Sequence, residues 1–276
     1  SEAVSVPHQR RAMLDGQIED IVETSRIVSQ VKEALEEKAE MSLSRVAIAA
    51  AGRALKTKRA SVITELDGRE SITENMLKSL ELEAVAKAQS ELDSDNTSEN
   101  VTFYCVGHTV TKYALDDYPI KSLLGHKGKK VEVELIAAFL PSLVVESLYT
   151  VMDMNGLDVC SLTLEPIAAM NVIIPPEVRL INIALVDIGA GTTDIAISRS
   201  GSIVAYAMAT IAGDEITEDI IQKYLVDFET AENMKLTPVG EDVSFTDILG
   251  FEHTITSDEF YSGLFPAVDQ LADTIA

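Results

Sequence analysis

The sequence predicts an α/β protein, on three observations. The stretch at 183–198, IALVDIGAGTTDIAIS, reads as strand, glycine turn, strand. Segments with apolar residues at helical spacing alternate along the chain with short β-branched or alternating runs. At 276 residues, 46% of them apolar, the chain is long enough for two domains and a sizeable core.

Taken in order, residues 17–40 carry Ile18, Ile21, Val22, Ser25, Val28, Val31, Ala34 and Leu35 at helical spacing, with Glu and Lys on the other face. RVAIAAAGRAL at 45–55 reads as a buried strand opening into a turn at Gly52, with 59–65 as its neighbouring strand. A helix over 73–90 begins on Thr73 as N-cap, with Glu74 in its first turn. The polar run ELDSDNTSEN at 91–100 joins it to a strand at 101–106. Residues 109–130 read as irregular, broken by Pro119, Gly125 and Gly128, before a strand at 131–139 with one exposed end. Pro141 suits the first turn of a helix that runs to Met154 and is capped by Gly156. A short strand at 159–164 then leads into Glu165-Pro166. Beyond the glycine turn, Ser200-Gly201 turns the chain into a third antiparallel strand at 203–209. Helices follow at 215–224 and 231–236, then a hairpin around Gly250 at 243–255 and a closing helix at 258–275.

The chemistry centres on DIGAGTTD. Glycines let backbone N–H groups approach a phosphate closely, because no side chain keeps the ligand away. An aspartate at a strand end can hold magnesium, usually through water. No Gly-Lys-Ser/Thr follows, so this is not a P-loop, and the next element is a strand rather than the helix of a dinucleotide fingerprint. A plain tight hairpin, its glycines serving turn geometry alone, is the other reading of the same residues.

Composition narrows the function. A net charge of −23 sets the surface against nucleic acid and anionic lipid. Cys105 and Cys160 lie in apolar sequence and read as buried free thiols, which suits a reducing cytosol. The four histidines are scattered without metal-ligand spacing, so no zinc site is expected. There is no run of 18 apolar residues to span a bilayer, and the opening SEAVSVPHQRR lacks the apolar core of a signal peptide.

Four features stand in order: LEPIAAM with Glu165, DIGAGTTD, AGDEITEDI with Gly213, and AENMKL with Glu232 and Lys235. In that order and spacing the chain resembles the actin-like ATPase superfamily, and within it the bacterial cell-division FtsA family. SITENMLKSLELEA and YPIKSLLGHKGKKVEVELIAAF are similar to the small subdomain inserted in that family. The pilus-assembly PilM family shares the insertion and is the near alternative. The resemblance implies an actin-like (ribonuclease-H-like) ATPase fold with a small inserted α/β subdomain. Residues 1–42 would be the helical part of the first lobe, 43–140 the inserted subdomain, 141–180 the rest of that lobe and 181–276 an incomplete second lobe.

The resemblance also implies ATP and magnesium as ligands. Asp187 would hold the ion through water, with Asp194 supporting those waters. The backbone of Gly189, Gly191 and Thr192, with the hydroxyls of Thr192 and Thr193, would clasp the β- and γ-phosphates. Glu165 would orient an attacking water. Gly213 would let the ribose approach, and Glu232 and Lys235, three apart on one helical face, would contact ribose and base. The residues alone leave plainer roles open: a helix start for Glu165, local backbone bonding for Asp194, a turn for Gly213, a surface ion pair for Glu232 and Lys235.

Two family features are missing. No first Asp-x-Gly hairpin precedes Arg10, and no late Gly-rich adenosine turn follows QLADTIA. The expectation is a chain truncated at both ends, lacking half the phosphate clamp, and a weak ATPase at most. The implied protein is a cytoplasmic, nucleotide-switched adaptor or filament former whose parent is peripheral at the inner face of the cell membrane. Its implied partners are its own copies and the tubulin-like division protein FtsZ, with no nucleic acid and no membrane segment in this chain. The alternatives are a pilus-assembly scaffold that grips a peptide and a metabolic kinase of the same superfamily, the latter disfavoured because no sugar-contacting signature appears.

Overall fold

In the computed structural model, residues 2–8, 12–14, 16–52, 54–95, 101–175, 177–178, 181–199 and 202–276 are described. The contacts divide the chain into two units, Ser1–Val186 with Ile195–Ala207, and Asp187–Asp194 with Met208–Ala276.

The first unit is organised by one strand buried on both faces. β7 (Lys130–Pro141) lies inside an antiparallel sheet of order β4-β7-β5-β6, with β4 at Lys56–Glu65, β5 at Phe103–Leu115 and β6 at Tyr118–Ile120. Leu135, Ala137 and Phe139 of β7 join one core cluster, while Ala138 and Leu140 join a second and Ile136 a third. That is why the alternation of VEVEL gives way to an unbroken apolar run: once both faces are covered, both side-chain sets must be apolar. Helix α2 (Glu74–Asp95) covers the first face with Leu80, Ala84, Ala88 and Leu92, a buried stripe at four-residue intervals. The two alanines let the helix approach the sheet closely. Thr73 accepts the Met76 N–H at 3.3 Å, as its N-cap role requires.

Against the second face pack α3 (Ser142–Met154) and a parallel pair formed by β3 (Arg45–Ala50) and β8 (Asp158–Leu164). The predicted partnership of 45–55 with 59–65 is therefore corrected: β4 pairs with β7 along its whole length, and β3 pairs with β8. β3 alternates between exposed and covered positions instead of being buried throughout. The segment 109–130 is also more regular than expected. β5 runs on to Leu115, and the chain reverses at Asp116 and Asp117, both in the left-handed region at φ 49° and 67°, to form β6. Two positive φ values suit a two-residue hairpin turn, usually signalled by Asn-Gly; here aspartates hide it. Asp116 fixes the turn by accepting the Lys129 and Lys130 N–H groups, each at 2.8 Å.

Helix α1 (Ile21–Ala39) starts later than its apolar spacing suggests. Asp20 caps it by accepting the Glu23 N–H at 2.9 Å, and Ile18 belongs to a small hairpin of β1 (Met13–Leu14) and β2 (Gln17–Ile18). Gly156, at φ 64°, follows α3 as expected of a helix-ending glycine. α2 extends to Asp95, and residues 96–100 of the predicted polar loop lie outside the described residues.

β9 (Ile183–Ile188), β10 (Thr193–Arg199) and β11 (Ser202–Ala209) form a three-stranded sheet of order β11-β10-β9. The predicted Ser200-Gly201 turn lies outside the described residues. Within the second unit, α5 (Gly213–Tyr224), α6 (Phe228–Lys235), the β12–β13 hairpin (Val243–Thr246, Glu252–Ile255) and α7 (Ser257–Ile275) close on Ile220, Val226, Ala231, Met234, Val243, Phe260 and Leu264. Asp247 holds the turn of that hairpin. Its Oδ1 accepts the Leu249 and Phe251 N–H groups at 2.9 and 3.0 Å, and its Oδ2 lies 2.9 Å from His253 Nε2.

Two outcomes follow. Ala88→Leu overfills the contact between α2 and the sheet and should lower unfolding free energy in urea by about 1–3 kcal/mol, whereas Ala86→Leu on the exposed side should leave it within about 0.5 kcal/mol. The Asp247 carboxyl is held below the ordinary carboxylate range, first by its bond with His253 and then by the Phe251 N–H. A lowered carboxylate contributes its stabilisation above the unfolded value, about 3.9, and loses it as pH falls through the lowered one. Amide-exchange protection at Leu249 and Phe251 should therefore hold above that pH and decay below it.

Candidate functional site

The glycine turn takes its shape from what it leans on. Gly189 donates its N–H to the Thr192 carbonyl at 2.9 Å, closing a two-residue turn on Ala190 and Gly191. The first N–H groups of any helix lack partners inside it. At the start of α5, the hairpin supplies two: Gly213 N–H reaches the Gly189 oxygen at 3.1 Å, and Asp214 N–H the Ala190 oxygen at 2.7 Å. Thr193, fully buried, adds a third tie by donating its hydroxyl to the Ile211 carbonyl at 2.6 Å. Glu215 accepts the Ala212 N–H at 2.7 Å and so settles the residue before the helix.

This docking orients the other side of the turn. In a trans peptide the carbonyl and the N–H that follows it point in opposite directions, and no cis bond occurs among the described residues. With the oxygens of Gly189 and Ala190 bound to α5, the N–H groups of Ala190 and Gly191 point away from it, side by side. A hydrogen bond accepted at the oxygen polarises the same peptide group and strengthens its N–H as a donor. Gly189 and Ala190 are exposed, as is Asp187 just before them on β9. The turn thus carries two fixed, polarised donors, with the exposed Asp187 two residues before Gly189, a combination suited to an anion that carries a cation.

Neither Gly189 nor Gly213 adopts a left-handed conformation; each is glycine for closeness. A Cβ on Gly213 would lie 3.3 Å from the Gly189 oxygen and 3.5 Å from Lys235 Nζ, and one on Gly189 would lie 3.2 Å from the Thr192 oxygen. The expected opening for a ribose at Gly213 is in the structure a close approach to the hairpin itself. The expected phosphate contacts are redistributed too. The Gly189 N–H and the Thr193 hydroxyl are committed within the protein, and Ala190, unnoticed in the sequence, supplies the outward donor beside Gly191. Thr192 is nearly buried, its hydroxyl 3.4 Å from Asp194 Oδ2. Asp194, 2% exposed, lies within the base of the hairpin, so the carboxylate that solvent reaches is Asp187.

Across α5 and α6 the structure brings Glu232 and Lys235 together. Lys235 Nζ donates to Glu232 Oε1, to the Thr217 hydroxyl at 2.7 Å and to the Gly213 carbonyl at 3.2 Å. Thr217, fully buried, was missed by the sequence reading; the available signal was a threonine one turn after Gly213, placed to face α6. Glu165 opens α4 (Glu165–Ile173) in the first unit, half-buried and followed by Pro166, where a carboxylate favours the helix N-terminus.

Among the described residues no group of three or more His, Cys, Asp or Glu side chains is arranged to hold a metal. Magnesium commonly uses one or two carboxylates, water and the oxygens of a bound phosphate, and Asp187 fits that pattern. Cys105 and Cys160 are free, as expected, but both are exposed instead of buried. They line a cavity of about 620 Å³ in the first unit with Tyr104, Val145, Tyr149 and Leu162. Desolvation raises the Cys105 thiol above its ordinary value, which opposes reactivity. No helix among the described residues is long and apolar enough to cross a membrane.

The family model described as cell division protein FtsA matches residues 184–249, which contain the hairpin, α5 and α6. Cell division protein FtsA of Pseudomonas aeruginosa is 30% identical over 131 residues, 47% of this chain and 31% of that protein. FtsA of Bacillus subtilis is 27% identical over 108 residues, 39% of this chain and 24% of that protein. The chain thus spans about a quarter to two fifths of the length of the curated relatives it matches. The structure superposes on the PilM–PilN type IV pilus biogenesis complex with a TM-score of 0.65 and 17% identity, over 99% of this chain and 67% of that one. The class is an actin-like ATPase fold. Within that class the chain is similar to the FtsA family over residues 184–249.

Thr193→Val would leave the Ile211 carbonyl without its partner and should cost about 1–3 kcal/mol in urea unfolding. Gly213→Ala should push the turn away from α5, seen as faster amide exchange at Gly213 and Asp214 without loss of α5 itself.

Proposed function

We propose that the hairpin at 187–194 binds the phosphates of ATP with magnesium, in an actin-like protein of the cell-division type that acts as a nucleotide-switched adaptor or filament former. The observation that carries this reading is that α5 holds the Gly189 and Ala190 carbonyls, which fixes the N–H groups of Ala190 and Gly191 in the same peptide groups facing outward. Donors set in advance stabilise developing phosphate charge without reorganising. Magnesium would neutralise the phosphate oxygens. Asp187 would hold its water shell, while Asp194 accepts from the Thr192 hydroxyl. Glu232 and Lys235 receive the nucleoside end. Glu165 is assigned the attacking water, which makes any turnover dependent on its carboxylate. FtsZ and copies of the chain itself are the proposed partners.

The test uses the full chain and separates binding from turnover. Asp187→Ala should abolish the magnesium dependence of ATP affinity. Glu165→Ala should keep that affinity and reduce hydrolysis by about 10²-fold or more; unchanged hydrolysis removes Glu165 from the reaction.

One observation favours a second reading, a scaffold that holds a partner peptide. The cavity beside Tyr104 and Tyr149 offers apolar walls and aromatic edges of the kind that receive anchor side chains. Sedimentation with and without ATP distinguishes the two: nucleotide-dependent pelleting supports the filament former, and nucleotide-indifferent monomers support the scaffold.

A further inference from the structure

The cluster behind Glu232 and Lys235 contains a residue that has no reason to be a threonine for packing alone. Thr217 is fully buried in α5, and its Oγ1 lies 2.5 Å from Glu232 Oε1, 2.7 Å from Lys235 Nζ and 3.1 Å from the Gly213 carbonyl. A hydroxyl has one proton to donate and two lone pairs to accept with. The proton goes to the carboxylate, the shorter and charge-assisted contact, and the ammonium of Lys235 donates to a lone pair. Lys235 thereby has its three N–H donors directed at Thr217, Glu232 and the Gly213 carbonyl. The two long side chains, 22% and 30% exposed for Lys235 and Glu232, are held from behind in one arrangement while their outer parts face solvent. An exposed Glu–Lys pair without such support contributes little and samples many rotamers.

We infer that Thr217 is a positioning residue. Its hydroxyl holds the Glu232 carboxylate and the Lys235 ammonium in the arrangement that selects the nucleoside end of a bound nucleotide, and leaves phosphate binding to the hairpin. This rests on the nucleotide reading of the site. It extends that reading by separating nucleoside selection from phosphate affinity. Gly213 joins the two parts, because its N–H is bound to the hairpin and its carbonyl accepts from Lys235.

The experiment measures binding of ATP, GTP and inorganic tripolyphosphate, each with magnesium, to the full chain and to Thr217→Val and Thr217→Ser. The valine variant, equal in shape but without the hydroxyl, should lose about tenfold in ATP affinity and most of the preference for ATP over GTP, with tripolyphosphate affinity unchanged. The serine variant should recover both. If the wild type binds ATP and Thr217→Val binds it with equal affinity and selectivity, this role is overturned while the nucleotide reading stands. Equal loss of ATP and tripolyphosphate binding, or failure of serine to rescue, also overturns it, since general damage to α5 would do the same. A wild-type chain that binds none of the three overturns the nucleotide reading and this role with it.

Discussion

The docking of the glycine turn on α5 is the interaction on which the candidate site depends. Two backbone hydrogen bonds, from Gly213 and Asp214 to the oxygens of Gly189 and Ala190, do two things at once. They give partners to helix N–H groups that would otherwise have none, and they turn the opposite edges of the same peptides outward. No side chain is needed to aim the donors, because peptide planarity transmits the orientation. The site therefore tolerates little change in backbone spacing: a Cβ on Gly213 would crowd the Gly189 oxygen, and one on Gly189 the Thr192 oxygen.

One residue, Gly213, links two clusters that sequence alone would treat separately. Through Gly213, the glycine turn is connected to Lys235, and through Lys235 and Thr217 to Glu232. The acidic residues of the first turn of α5, Asp214 and Glu215, complement the helix dipole there, and Glu215 also fixes the Ala212 N–H. Donors, carboxylate and cation thus lie within one short span, 187–235, all of it inside the stretch matched by the FtsA family model.

Much of this was legible in the sequence, and the failures have physical causes. The hairpin and the Glu232–Lys235 pair were visible because glycine and charge at fixed spacing leave few alternatives. The roles within the hairpin were not, because a sequence names residues while the donors are peptide groups. Ala190 carries no side-chain signal at all, and Thr193 looks like a ligand although its hydroxyl is turned inward to Ile211. In the fold, β7 announced its double burial through a continuous apolar run. The pairing of β3 with β8 could not be read, since the two strands are separated by the whole four-stranded sheet in sequence. The β5–β6 reversal was hidden by aspartates in positions where glycine or asparagine is the usual signal. Apolarity misled in two places: Cys105 and Cys160 lie in apolar runs yet open onto a cavity, and β9, at one edge of its sheet, leaves Val186 and Ile188 39% and 52% exposed.

The central claim is that Ala190 and Gly191 present their N–H groups to a phosphate. Following the backbone amide resonances of the full chain by NMR during titration with magnesium-ATP tests it most directly. The account predicts the largest downfield shifts at Ala190 and Gly191, with Gly213 and Asp214 little changed because their bonds to the turn persist. Saturable binding that leaves Ala190 and Gly191 unmoved while other amides shift would contradict it.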